Sequence, residues 1–240
     1  QMLTDANNHL YQRVQQELEH QEEFNANVSH ELRTPIAVMH AQCQVSREVA
    51  EKKQDKEAIK SIEVFERQTN RMKNLVDQLL QMTAIDRKGT TFSIEDIDVR
   101  DVIESACDDI AYIDTKHITF EYSLQPTIIQ ANMNLIYIVI NNLLSNAVKY
   151  SNEGAKIYVS CGEKDGKSYI RIQDEGCGIE KENISKIFES FYREKKDRNA
   201  EGFGLGLSQA MKIAELYGGG IYVESTKNKG SIFTFFIPKP

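Results

Sequence analysis

Ile62, Phe65, Thr69, Met72, Val76, Leu79 and Thr83 follow one another at alternating steps of three and four, which sets them in a heptad seam along one face of a helix. Upstream, Val28, Leu32, Ile36, Met39 and Cys43 recur at steps of 4, 4, 3 and 4 and describe one buried stripe on another helix. Between the two lies a charged, turn-like stretch around Ala50 to Asp55. The first 85 residues hold no glycine and one proline, Pro35, so two long helices are predicted, with Pro35 removing one backbone hydrogen bond and kinking the first. A two-helix hairpin cannot cover the heptad seam alone, so two chains are expected to pair into a four-helix bundle. Ahead of the hairpin, Leu3, Leu10, Val14 and Leu18 continue an apolar stripe and predict a coiled-coil lead-in over residues 1–22.

Past the hairpin, which is expected to occupy residues 23–86, the pattern changes. Arg87-Lys88-Gly89-Thr90-Thr91 reads as a linker, and from residue 90 to 240 strand and helix patterns mix. Thr91 to Ile94, Ile118 to Tyr122 and Thr127 to Gln130 are predicted strands, and Val99 to Tyr112 a helix. Lys156 to Cys161 and Ser168 to Gln173 alternate about Asp165-Gly166, a hairpin signal. Ile221 to Glu224 and Ser231 to Ile237 add two further strands. The expected fold is an α helical hairpin forming a dimeric four-helix bundle, followed by an α/β two-layer sandwich with a mixed sheet.

Composition narrows the partners. At 240 residues, 40% hydrophobic and 27% charged, the chain reads as folded and two-domain, and a net charge of −7 disfavours nucleic acid. No basic patch suggests direct membrane contact. Cys43, Cys107, Cys161 and Cys177 show no C-x-x-C spacing, so neither a zinc site nor a disulfide framework is expected, and a reducing cytosol fits. No apolar run approaches the roughly 20 residues that span a bilayer. A chain that starts at Gln1 without an initiating methionine or a signal-peptide pattern is expected to be a portion of a longer protein.

Candidate chemistry begins at Asn27-Val-Ser-His30-Glu-Leu-Arg-Thr-Pro35. His30 lies two residues from both Val28 and Leu32, so it points about 160 to 200° away from that stripe, toward water. An exposed neutral imidazole has one nucleophilic nitrogen, Glu31 can accept the proton of the other, and Thr34 lies over the same face one turn on. These are the makings of a phosphoryl acceptor. His9, His20, His40 and His117 lack such neighbours and are assigned no role.

The stretch Phe24-x3-Val28-Ser-His-Glu-Leu-Arg-Thr-Pro-Ile36 resembles the H-box of sensor histidine kinases from two-component systems. In that family the histidine takes the γ-phosphoryl group of ATP, the acid serves as general base, and the threonine orients a hydrolytic water. The resemblance places those roles on His30, Glu31 and Thr34.

Four later stretches resemble, in order, the N, G1, F and G2 boxes of the Bergerat ATP-binding fold. In Asn141-Asn142-Leu-Leu-Ser-Asn146-Ala-Val-Lys149-Tyr150, Asn142 and Asn146 share a helix face, and amide oxygens suit Mg²⁺. The resemblance sets Asn146 on Mg²⁺, Lys149 near phosphate and Tyr150 against the nucleotide. Asp174-Glu-Gly176-Cys-Gly178-Ile179 offers a carboxylate for the exocyclic amine of adenine and glycines that let backbone approach a ligand. Ile187-Phe188-Glu-Ser-Phe191-Tyr-Arg193 resembles the F-box, with two aromatics anchoring a lid and Arg193 expected on the γ-phosphate; Ser190 stands where a bulkier or basic residue is usual. Gly202-Phe-Gly204-Leu205-Gly206-Leu207-Ser208 opens a helix whose free N–H groups favour phosphate. Asn132 replaces the family's frequent aspartate before the N-box helix and can still cap it.

The resemblance implies autophosphorylation of His30 with ATP and Mg²⁺, phosphoryl transfer to an aspartate of a response regulator, and phosphatase activity through Thr34. It also implies a homodimer, on the cytoplasmic side of a membrane-anchored protein. Two other readings stand beside it. A hydrolytic ATPase of the same nucleotide fold would carry a water-activating glutamate where Asn142 stands. A kinase-dead dimeric scaffold would be expected to have a broken box.

Overall fold

The computed structural model of this chain describes residues 35–86, 92–194 and 203–239, and it divides into two units, residues 1–90 and 91–240. In the first unit, helix α1 (described over residues 35–52) and helix α2 (Lys56–Asp86) are joined by a short turn in which Gln54 takes a positive φ of 55°. Asp55 stops the turn and starts α2, its Oδ1 accepting from Ala58 N at 3.0 Å. Arg47 on α1 reaches Glu66 on α2 at 2.8 Å and Glu51 on its own helix at 3.1 Å, which clips the hairpin near its closed end.

Burial splits the predicted seam of α2 into two rows. Thr69 and Val76, seven residues apart, are buried, with Ile62 and Thr83 half-buried in the same row. The interleaved row stays open at Phe65, 65% exposed, and Met72, 41% exposed, with Leu79 half-buried. One chain therefore satisfies one row of the heptad and leaves the other uncovered along that stretch.

The second unit runs β1 (Glu95–Asp98), α3 (Val99–Ile113), β2 (Thr119–Leu124), β3 (Ile128–Ala131), α4 (Met133–Tyr150), β4 (Lys156–Lys164), β5 (Lys167–Asp174), α5 (Gly206–Leu216), β6 (Gly220–Thr226) and β7 (Gly230–Pro238). Five strands form a mixed sheet in the order β2-β4-β5-β7-β6, parallel between β2 and β4 and antiparallel elsewhere. Helices α3, α4 and α5 lie side by side, with α4 and α5 packed on the sheet, giving the expected two layers. The β4–β5 hairpin turns at Asp165 and Gly166, both at positive φ (52° and 72°), as an Asp-Gly two-residue turn requires. None of the four cysteines is in a disulfide, and burial pushes the Cys107 thiol up to about 11.

The strand expected at Thr91 to Ile94 is not where the first strand forms. It lies at Glu95–Asp98, paired antiparallel with β3 in a separate two-stranded sheet. The register explains the shift: Ile97 sits opposite Ile129 and both are buried, whereas Ile94 is exposed. Burial of one pair outweighed the β propensity of the run before it.

Candidate functional site

The C-terminal half of α4 carries four of the expected site residues. Asn142 and Asn146 stand one turn apart on one face, both half-buried, and the Lys149 ammonium lies 4.9 Å from the Tyr150 ring centroid. The helix ends under a cap that its own sequence does not supply. Lys116, on the loop after α3, donates from Nζ to the carbonyls of Val148 (3.0 Å), Lys149 (2.7 Å) and Ser151 (2.9 Å). Those carbonyls are left without partners inside the helix, so one ammonium both satisfies them and fixes the end of α4 on which Lys149 and Tyr150 ride.

Strand β5 ends at Asp174, a buried residue only 5% exposed. Its Oδ1 accepts from Gly176 N at 2.8 Å and Ser231 N at 3.2 Å. Among the described residues both bonds fall on that oxygen, which leaves Oδ2 for a ligand's N–H. Burial pushes the Asp174 pKa up, and the two backbone bonds pull against it. The loop beyond is held between two elements. Cys177 N donates to Tyr150 O at 3.3 Å, and a Cβ on Gly176 would lie 2.5 Å from that same carbonyl. On the other side, Gly178 sits at φ +61°, where a Cβ would meet Thr226 O at 2.1 Å, and Ile179 N donates to Ser225 Oγ at 2.8 Å. Glycine is required at both places by close approach of backbone, and at the second by its dihedral as well.

Residues 181–191 run in turns, and Arg193 follows, half-buried. Of the two aromatics expected to anchor a lid, Phe188 is half-buried but Phe191 is 58% exposed at φ +65°, because its N–H turns to donate to Gly204 O at 2.9 Å. Gly204, at φ +76°, leads into α5, which opens without a side-chain cap. Its first N–H groups are therefore available to an anion. Leu205 turns its side chain into the core, so that residue can meet a ligand by its backbone alone, while Leu207 is half-buried. Gly206 lies against α4: a Cβ there would be 2.8 Å from Asn142 Oδ1.

The four stretches are thus joined: the loop after β5 to the end of α4, the segment before residue 194 to Gly204, and Gly206 to Asn142. His30, Glu31, Thr34 and Gly202 lie outside the described residues. Among the described residues no group of three or more His, Cys, Asp or Glu side chains could hold a metal ion. A cation here would instead meet amide oxygens and a ligand's own phosphates, and the cradle left by the absent Gly206 side chain in front of Asn142 Oδ1 fits that donor set. Three contributing residues escaped the sequence reading. Lys116 and Ser225 act across folds of the chain and carry no local signal. Gln209 could have been noticed, as a polar residue four positions before Ile213 on the inward face of α5.

Two family models match. Residues 20–88 match the His Kinase A (phospho-acceptor) domain, and residues 131–240 match the histidine kinase-, DNA gyrase B- and HSP90-like ATPase family. The sensor histidine kinase WalK of Bacillus subtilis (strain 168) is 35% identical over 237 residues, 95% of this chain, but the chain spans only 39% of that relative. Among solved structures, the Acinetobacter baumannii histidine kinase AdeS resembles the chain with a TM-score of 0.62 at 25% identity, covering 87% of this chain and 97% of that one. Full-length ShkA, solved in complex with AMPPNP, has a TM-score of 0.76 at 22% identity over 90% of this chain and 45% of that one, which speaks to the fold.

Proposed function

This chain belongs to the sensor histidine kinase family of two-component systems, and from that premise we propose that it phosphorylates itself on His30 with ATP and passes the phosphoryl group to an aspartate of a response regulator. Residues 1–22 are assigned to a helical lead-in, 23–86 to the dimerising phosphoacceptor domain and 90–240 to the catalytic ATP-binding domain. The carrying observation is the Asp174 carboxylate, buried at the end of β5 with one oxygen held by two backbone N–H groups and the other left over. Such an oxygen accepts from the exocyclic amine of adenine, a donor that guanine lacks at that position. Phosphates then fall to the uncapped opening of α5 at Gly204 to Leu207, with Lys149 and Arg193 as cationic partners and Tyr150 against the nucleotide.

The amide oxygens of Asn142 and Asn146 would hold Mg²⁺, which neutralises charge developing on the transferred group. His30 attacks the γ-phosphorus in line, the bond to the β–γ bridging oxygen breaks, and ADP leaves. Glu31 accepts the proton from the other imidazole nitrogen. Thr34, over the same helix face, orients water for the reverse task of dephosphorylating the regulator. The uncovered row of α2 at Phe65 and Met72 supports a homodimer, pairing into a four-helix bundle. Among the described residues no helix is long and apolar enough to cross a membrane, and the whole protein is proposed to be membrane-anchored with this portion on the cytoplasmic side.

Incubation with γ-labelled ATP and Mg²⁺ tests this. Label on the wild type and none on His30→Gln is the expected result. Undiminished label on that variant overturns the assignment of the acceptor, and no label on the wild type favours the dimeric scaffold. Hydrolysis as the main activity is disfavoured because Asn142, an amide bonded to Gln209, offers no base to activate water.

A further inference from the structure

Gln209 stands on the inward face of α5 beside Ala210 and Ile213, and it is 1% exposed. A buried amide is retained in such a place only when its polar atoms are satisfied. Here Gln209 Oε1 accepts from Nδ2 of Asn142, across the α4–α5 contact, at 3.2 Å. The oxygen end of the same Asn142 amide faces the first turn of α5, where the missing side chain of Gly206 leaves it room.

An asparagine amide has a donor end and an acceptor end, and only the oxygen can ligate a hard cation. Turned over, Asn142 would present an NH₂ group at the opening of α5 and could no longer serve the metal. Its orientation is therefore worth fixing, and a neighbour that takes the NH₂ group fixes it. We propose that Gln209 is a positioning residue that captures Nδ2 of Asn142 and so presents Oδ1 to the magnesium ion of the bound nucleotide. The inference rests on the reading of this site as one for Mg·ATP. It assigns Gln209 no contact with the nucleotide, and it explains why α5 keeps a buried amide beside Ala210 and Ile213.

The test uses the whole chain and calorimetric binding of a non-hydrolysable ATP analogue over a series of Mg²⁺ concentrations. Gln209→Met keeps the volume and removes the acceptor. It should raise the half-saturating Mg²⁺ concentration about tenfold, the usual consequence of removing a residue that orients a metal ligand, with no change in nucleotide uptake at saturating Mg²⁺. In an Asn142→Ala background the same substitution should add nothing, because there is no amide left to orient. A Mg²⁺ requirement unchanged by Gln209→Met, or a shift that persists undiminished without Asn142, overturns the proposal. The wild type gives a readout independent of any variant's folding: the side-chain amide protons of Asn142 should exchange with solvent more slowly than those of Asn146, and equal rates overturn it. If the wild type binds the analogue at no Mg²⁺ concentration, the nucleotide reading itself fails, an outcome distinct from wild-type binding that ignores residue 209.

Discussion

Helices α2 and α4 are both long and both carry apolar positions on more than one side, yet α4 buries Leu135, Ile136, Val139, Ile140, Leu143 and Leu144 while α2 leaves Phe65 and Met72 in the open. The difference lies in what surrounds each. α4 has α3 and α5 beside it and the sheet beneath, so one chain completes its environment. Among the described residues α2 has one partner helix, which leaves Phe65 and Met72 of the seam open. A unit that closes its own core can hold a binding site assembled from distant parts of the sequence. A unit that does not leaves an apolar row that the homodimer proposed above would cover.

The sharpest way to break that contrast is to charge the open row. Phe65→Asp combined with Met72→Asp should weaken self-association by at least about a thousandfold, since two carboxylates would have to be desolvated in the paired bundle. Sedimentation should then report a monomer with its ATP affinity intact, and a dimer surviving both changes would remove the seam from the interface.

Next in size is Asp174→Asn. Its oxygen can still serve Gly176 and Ser231, which turns an NH₂ group toward the adenine amine, donor against donor. ATP affinity should fall on the order of a hundredfold by calorimetry, while the thermal midpoint at neutral pH holds or rises because a buried charge is gone. Retained affinity would mean that the base is read elsewhere.

Lys116→Met removes three hydrogen bonds from the end of α4 and should cost the α/β unit about 1–3 kcal/mol in denaturant unfolding. Self-association of the helical unit should be untouched. A variant as stable as wild type would show that water replaces the ammonium.

The smallest effect is in pH, and two aspartates of the same unit give it opposite signs. Asp98 is held below the ordinary aspartate pKa by its hydrogen bonds to the Arg100 side chain, so its contribution is present above the unfolded value and is lost as pH falls through the lowered folded one. Asp174 is pushed up by burial, so the folded state binds its proton more tightly. Stability from Asp174 is greatest below the unfolded value and declines as pH rises through the raised one. Acid titration of unfolding should lose the second component in Asp174→Asn and the first in Asp98→Asn; identical profiles for all three proteins would refute both assignments.

Most of the element order was legible because its causes are local. Heptad spacing gave α2, alternation about Asp165-Gly166 gave the β4–β5 hairpin, and Asn132 caps α4 as expected, its Oδ1 accepting from Leu135 N at 3.2 Å. The stretches gathered at the proposed nucleotide site were legible for a related reason: glycines at Gly176, Gly178 and Gly204 mark close approaches to backbone, and Gly206 one to the Asn142 side chain. What escaped is non-local. The placement of β1 depended on which isoleucine would find Ile129, and the exposure of Phe191 on a bond to Gly204 from across a loop.

By itself, then, the sequence determined periodicity, turn chemistry and the residue types able to meet a nucleotide, since each is written within a few neighbouring positions. Tertiary structure alone decided which row of the α2 seam one chain could cover, which lysine would close α4, and which glutamine would hold Asn142. Those outcomes depend on surfaces and donors brought together from far along the chain, and only packing settles which of them meet.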